Sequence, residues 1–296
     1  ADRLRLTGWH DALADRKKSL YEKGTQMITV QRTRELALVA IARHMRSHPD
    51  LAIPGRDIYE FGVYTGGGLR MWLRMLEREA IPFGGDVWGF DSFEGMPAED
   101  SRFKSKLRQQ DKGWLAGGLN TAEQMGITDW VELCRTIIRN IGHRSPERVH
   151  MLRGFYNESL RDGRRLAHRW HMRPALILDL DCDLYTSSKQ AMRFVLDSGI
   201  LVPGTYVYLD DIMPWAWRNN KQPAVEQKLA FEQMTSEYGL SWEHLPLNGT
   251  RRDYVFERPV LRLAACERCR PNHRREHQAD SSAHDSASDA PDCLVP

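Results

Sequence analysis

The chain has 296 residues, with 42 Lys plus Arg against 40 Asp plus Glu and a formal net charge of +2. That length holds one large or two small domains. The near balance of charge leaves nothing global that points to nucleic acid or to an anionic membrane, and no apolar run approaches the roughly 20 residues that span a bilayer. The first residues, Ala1 to Arg5, do not read as a secretory signal. Five scattered cysteines, an odd number, do not resemble a disulfide framework. A reducing, cytoplasmic setting is therefore expected.

Residues 33–45 read as an amphipathic helix, with Leu36, Leu38, Val39, Ile41 and Ala42 on one side and Arg34, Glu35 and Arg43 on another face. Leu20, Tyr21, Met27, Ile28 and Val30 suggest a shorter helix or a flap before it, and Pro54-Gly55 a break. Strands and helices then alternate. Strands are expected at 57–62, 87–90, 148–152, 175–178 and 205–209. Helices are expected at 69–79, 122–138, 158–170 and 223–238, with another running to about 196 from a cap at Thr186 or Ser187. Residues 241–245 and 253–257, joined across Asn248-Gly249, look like a closing antiparallel pair. Such alternation argues a mainly parallel sheet covered by helices on both faces. Residues 92–120 are too long for an ordinary connection and read as a lid or a substrate loop. From Cys266 onward Asp, Ser, Ala, His and Pro displace the large apolar residues. That composition does not bury enough surface to offset chain entropy, so a disordered tail is expected.

The chemistry gathers at strand ends. One apolar run leads into Asp179, Asp181 and Asp183, and the next into Asp210 and Asp211. Burying uncompensated charge is costly, and in an open α/β sheet ligands bind at the carboxyl ends of the strands. Adjacent strands four and five would bring Asp181, Asp210 and Asp211 together. Such crowding calls for a cation or a proton, and hard oxygen ligands suit Mg²⁺, Mn²⁺ or Ca²⁺. Upstream, Glu60-Phe61-Gly62-Val63-Tyr64-Thr65-Gly66-Gly67 ends a strand and opens a helix, where a doubly wound fold binds its nucleotide. It is not the dinucleotide pattern G-x-G-x-x-G, and its acid suits a positively charged ligand better than a pyrophosphate. Asp91, with Ser92, Glu94, Gly95 and Pro97 beside it, stands where ribose hydroxyls are held in this architecture. Three other features have plainer readings. Cys266-x-x-Cys269 with His273 and His277 is spaced too tightly for the usual zinc finger. Arg161, Arg164, Arg165 and Arg169 read as a solvated helix face, and His244 is a candidate base near the last strand.

Five stretches together resemble one family: residues 59–67, 89–97, 153–160, 180–188 and 203–211. They are similar to the class I S-adenosylmethionine-dependent methyltransferases, in the branch named for macrocin O-methyltransferase. The resemblance spans residues 25–258. It implies a Rossmann-like seven-stranded α/β sheet with helices on both faces over 51–260 and an N-terminal helical lid over 1–50; beyond it, composition leaves residues 261–296 as the expected disordered tail. It implies that Glu60, Gly62, Thr65 and Gly66 cradle the methionine part of S-adenosylmethionine and that Asp91 holds its ribose, with Ser92 alongside. Asp181, Asp210 and Asp211 would bind Mg²⁺, and Asp181 or Asp183 would be the general base. Two positions depart from the family: Gly68 stands where a hydroxyl residue is frequent, and Cys182 replaces the middle glycine of Asp-Gly-Asp. The expected reaction is Mg²⁺-dependent O-methylation of a small molecule, a sugar or polyketide-type natural product. A hydroxylase-like relative or a non-catalytic cofactor-binding protein is the alternative. A small-molecule acceptor is the expected partner, without nucleic acid or membrane, and a homo-oligomer stays open.

Overall fold

The computed structural model describes residues 30–48, 55–104, 114–210, 226–245 and 260–269, with side chains from residue 34 onward. Helix α1 spans Val30–Ser47, followed by β1 (Asp57–Phe61), α2 (Gly67–Arg78) and β2 (Val87–Asp91). After the insertion come α3 (Thr121–Met125), α4 (Trp130–Ile141) and β3 (Val149–Arg153). The second half holds α5 (Tyr156–Ser159), α6 (Gly163–Arg169), β4 (Ala175–Leu180), α7 (Tyr185–Asp197) and β5 (Tyr206–Leu209). It closes with α8 (Glu226–Tyr238), β6 (Leu240–His244) and β7 (Val260–Cys266).

The seven strands form one sheet in the order β3-β2-β1-β4-β5-β7-β6. β1 to β5 pair in parallel, and β7 runs antiparallel to both of its neighbours. Side chains alternate between the faces along each strand. Ile58, Ile177, Tyr206 and Tyr208 therefore pack with α1, α2 and α4 in one core. Tyr59, Phe61, Leu178, Leu180, Val207 and Leu209 pack with α6, α7 and α8 in the other. The parallel strands are buried on both faces, which is why they read as continuous apolar runs. The order reverses between β1 and β4, and this switch point sets where the two halves of the sheet part.

Four expectations change. Arg34 does not lie on a separate face of α1 from the apolar residues; it is 8% exposed, beside buried Ala37, Leu38, Ile41 and Met45. Positions 34, 38, 41 and 45 form one helical stripe, so the arginine sits in line with the apolar contacts. Helix α7 begins at Tyr185, and its N-terminus is not capped by its own Thr186 or Ser187 side chain; Glu99 from the insertion accepts from the Thr186 amide (2.7 Å) and hydroxyl (2.8 Å) instead. The strand that pairs with β6 is β7, so residues 261–266 belong to the sheet and not to a tail; residues 253–257 lie outside the described residues. Cys266 and Cys269 form a disulfide just past β7. That pairing commits both sulfurs, leaving the zinc reading without its thiolates, and His273 and His277 lie outside the described residues. No helix among the described residues is long and apolar enough to cross a membrane.

Candidate active site

Strand register assembles the acids. Glu60 of β1 stands beside Asp179 of β4, and Asp179 stands beside Tyr208 of β5. All three point to the α1–α2 side, because they alternate with residues of the opposite core. Period two places Asp181 and Asp210 on that same side, one step beyond the strands. Their amides extend the ladders, from Asp181 to the Phe61 carbonyl (2.9 Å) and from Asp210 to the Leu180 carbonyl (3.1 Å).

Into this group α1 projects Arg34. Its Nη2 lies 2.7 Å from Asp181, 3.4 Å from Asp179 and 3.8 Å from Asp210, and its Nη1 lies 3.9 Å from Glu60. Asp179 also accepts from the Trp72 indole at 2.6 Å, and the Tyr208 hydroxyl donates to Asp210 at 2.7 Å. Burial works against the Arg34 charge, but Asp179, Asp181 and Asp210 outweigh it and hold the guanidinium ionised. Glu60 is pushed the other way. Its burial first, and repulsion from Asp179 next, raise its carboxyl well above the usual range, against Arg34 and the Leu69 amide. That amide, in the first turn of α2, donates to Glu60 at 3.2 Å. The side chain thus lies across the start of α2. A Cβ at Gly68 would overlap Glu60 Oε1 and come within 2.7 Å of Arg34 Nη1, which accounts for a glycine at this position.

The glycine turn lies next to these acids. Gly62 is left-handed (φ 92°), and a Cβ there would overlap the Asp181 carbonyl, so the ends of β1 and β4 approach as only glycine permits. Gly66, also left-handed, precedes the N-terminus of α2, and Thr65 sits between it and Tyr64. A Cβ on Gly67 would meet nothing within 4 Å, so space is open at the positive end of that helix. Asp91 closes the turn. Its oxygens accept from the Tyr64 amide (2.8 Å) and the Phe93 amide (2.7 Å). Burial raises its carboxyl, against those amides. Ser92 shapes its own loop, donating to the Gly95 carbonyl and accepting from the Glu94 amide. With acids on one side of the glycine turn and Asp91 on the other, these residues suit a ligand with a cationic centre and a diol.

The insertion packs against the start of α7. Glu99 on Thr186 and the stack of Phe103 on Tyr185 (4.1 Å) pin residues 99–103 to the start of α7. Asp183 precedes that helix in the left-handed region (φ 60°), and Cys182 Sγ is 3.5 Å from Ser188 Oγ. His244, on edge strand β6, stands three strands from β4 and is not brought to this site. Arg161, Arg164, Arg165 and Arg169 are exposed on and beside α6.

Asp181 and Asp210 converge on one point, and both offer hard oxygens, which suits a divalent cation. Asp211, the third expected ligand, lies outside the described residues, and among those described no group of three or more His, Cys, Asp or Glu is arranged to hold a metal. Arg34, Trp72 and Glu99 belong to the site and escaped the motif reading. Only Arg34 carried a legible signal, an arginine on the apolar stripe of its helix.

Comparison with known proteins gives a family and a fold. A family profile described as Macrocin-O-methyltransferase (TylF) matches residues 15–237. Among solved structures, the O-methyltransferase NovP is 20% identical, covering 77% of this chain and 79% of its own, with a TM-score of 0.49. CalS11, described as a calicheamicin methyltransferase, is 17% identical over 89% of this chain and 98% of its own, with a TM-score of 0.51. At that identity the likeness to CalS11 shows the fold. No curated protein matches in a sequence comparison.

Proposed function

The chain belongs to the macrocin-O-methyltransferase family, and on that premise we propose that it moves a methyl group from S-adenosylmethionine to a hydroxyl of a small molecule, with Mg²⁺ at the acids. One observation carries this reading: four carboxylates from three adjacent strands converge beside the glycine turn. An acid-rich point of this kind receives cations, and S-adenosylmethionine supplies a methyl group on a sulfonium. Glu60 and the Gly62–Gly67 turn would hold the methionine part, with Thr65 and Gly66 at its edge. Asp91 would hold the ribose.

Methyl transfer is an in-line displacement, so alignment of the acceptor oxygen supplies much of the rate. The pinned insertion at Glu99 and Phe103 would align it and exclude water. Asp181 or Asp183 would take the proton from the acceptor hydroxyl as the oxygen–carbon bond forms and the carbon–sulfur bond breaks. Asp181, Asp210 and Asp211 would hold Mg²⁺, which when bound lowers the pKa of a coordinated hydroxyl. An acceptor with two neighbouring oxygens, such as a sugar diol, suits a metal held this way. The test is calorimetry with S-adenosylmethionine, with and without Mg²⁺, followed by an acceptor screen read by mass. The expected product gains one methyl group. Gain of an oxygen atom would establish the hydroxylase-like alternative, and absence of cofactor binding in both buffers would leave a non-catalytic relict.

A further inference from the structure

Arg34 has no task in the methyl transfer just described, yet it occupies the centre of the site. A single nitrogen, Nη2, stands within 4 Å of Asp179, Asp181 and Asp210. Asp181 and Asp210 are two of the residues assigned above to Mg²⁺, so the guanidinium fills the point between them that a divalent cation needs. Its Nε, buried in the same place, has no hydrogen-bond partner among the described residues. Buried side-chain donors are as a rule hydrogen-bonded, and this Nε is one of four buried side-chain atoms among the described residues that are not. Arg34 also comes from α1 and not from the strands that carry the acids, so it can withdraw without breaking the sheet.

We propose that Arg34 is a resident counter-cation that competes with the divalent metal for Asp181 and Asp210 and thereby couples metal binding to the seating of α1. The proposal rests on the metal reading of the preceding section. Two cations cannot share one contact point, because like charges at that separation repel. When a metal takes Asp181 and Asp210, Nη2 must leave Asp181. The partners that remain within reach are Asp179 and Glu60, on the cofactor side. Without metal, the guanidinium keeps the acids from repelling one another. With metal, the same side chain is shifted toward Glu60, whose carboxylate receives the first-turn amide of α2. Arg34 is thus a positioning residue for the acids, not a group that touches the reacting atoms.

The test uses Mn²⁺ as probe, on the full chain without S-adenosylmethionine. Bound and unbound Mn²⁺ are measured by electron paramagnetic resonance for the wild type, Arg34→Gln, Arg34→Lys and Asp181→Asn. The expected result is Mn²⁺ binding about tenfold or more tighter in Arg34→Gln, wild-type-like binding in Arg34→Lys, and loss in Asp181→Asn. Hydrogen exchange of the wild type supplies a second readout: amides of residues 30–47 should exchange faster when Mn²⁺ is added. Equal or weaker Mn²⁺ binding in a folded Arg34→Gln chain overturns the proposal and spares the metal reading. Slower exchange of residues 30–47 on adding Mn²⁺ overturns it as well, and decides the matter if Arg34→Gln does not fold. Absence of Mn²⁺ binding by the wild type and Arg34→Gln alike removes the metal reading first, and the competition with it.

Discussion

The two ends of the sheet treat buried carboxylates in opposite ways. At the amino end, donors converge on one acid: Asp57, fully buried, accepts from the Asp86 amide (2.8 Å), the Trp88 indole (3.0 Å), the Arg173 amide (3.1 Å) and the Tyr59 hydroxyl (3.3 Å), and pairs with Arg173 at 2.7 Å. At the carboxyl end the ratio inverts, and four acids converge on the one guanidinium of Arg34. A donor-rich carboxylate is a structural tie. An acid-rich cluster holds together only with cations, so it is where a ligand can change the balance. Burial alone does not separate the two kinds of acid, because Asp57 and Asp179 are both fully buried; the ratio of donors to acids does.

The contrast can be broken from either end, and the largest effect is expected at the tie. Asp57→Ala should cost about 3–5 kcal/mol of stability, by urea unfolding, because it leaves the Arg173 charge and several donors unmet. An unchanged midpoint would make Asp57 no different from the acids of the site. Asp210→Asn should do the reverse. Turnover should fall on the order of 100-fold and cease to respond to a chelator, while the urea midpoint holds or rises, since one buried negative charge is gone. Full activity of that variant with chelator present would sink the metal role.

Smaller effects sharpen the same contrast. Asp91→Asn should weaken S-adenosylmethionine by roughly 10- to 100-fold in calorimetry, the worth of hydrogen bonds to a charged acceptor, with little change in fold. Gly68→Ala should cost about 1–3 kcal/mol by overpacking, because Glu60 and Arg34 occupy the space of the new methyl group; a neutral result would show that Glu60 is not fixed across the start of α2. The smallest effect concerns how α1 is seated. His44 meets the Tyr206 hydroxyl at 2.9 Å and Glu243 at 3.3 Å. Burial lowers its pKa, with Glu243 opposing. The folded state therefore binds fewer protons than the unfolded state just below the ordinary histidine pKa of about 6.5. Stability should fall as pH drops through that value, level off below the folded pKa, and lose this slope in His44→Asn. A slope unchanged in that variant would place the titration elsewhere.

Much of the fold follows from local pattern. Apolar runs buried on both faces mark β1 to β5, glycines mark the exits of β1 and β3, and alternation with helices determines a parallel sheet with the acids at its carboxyl ends. Asp91, Asp181 and Asp210 are therefore legible as candidate site residues, since an acid ending a buried strand needs a use. Three features came only from the folded chain. Arg34 is separated from Asp181 by 147 residues, and periodicity shows that it lies on the buried stripe of α1 but not which acids it meets. Glu99 reaches Thr186 across 87 residues, a contact set by the course of the insertion and by no pattern within it. The last strand, β7, is apolar enough to read as a strand, but that it runs antiparallel between β5 and β6 is set by pairing and by no pattern within it. Chemistry that depends on residue type and on period is written along the chain; which cation stands among which acids depends on register between strands and on how α1 packs, and only tertiary contact decides that.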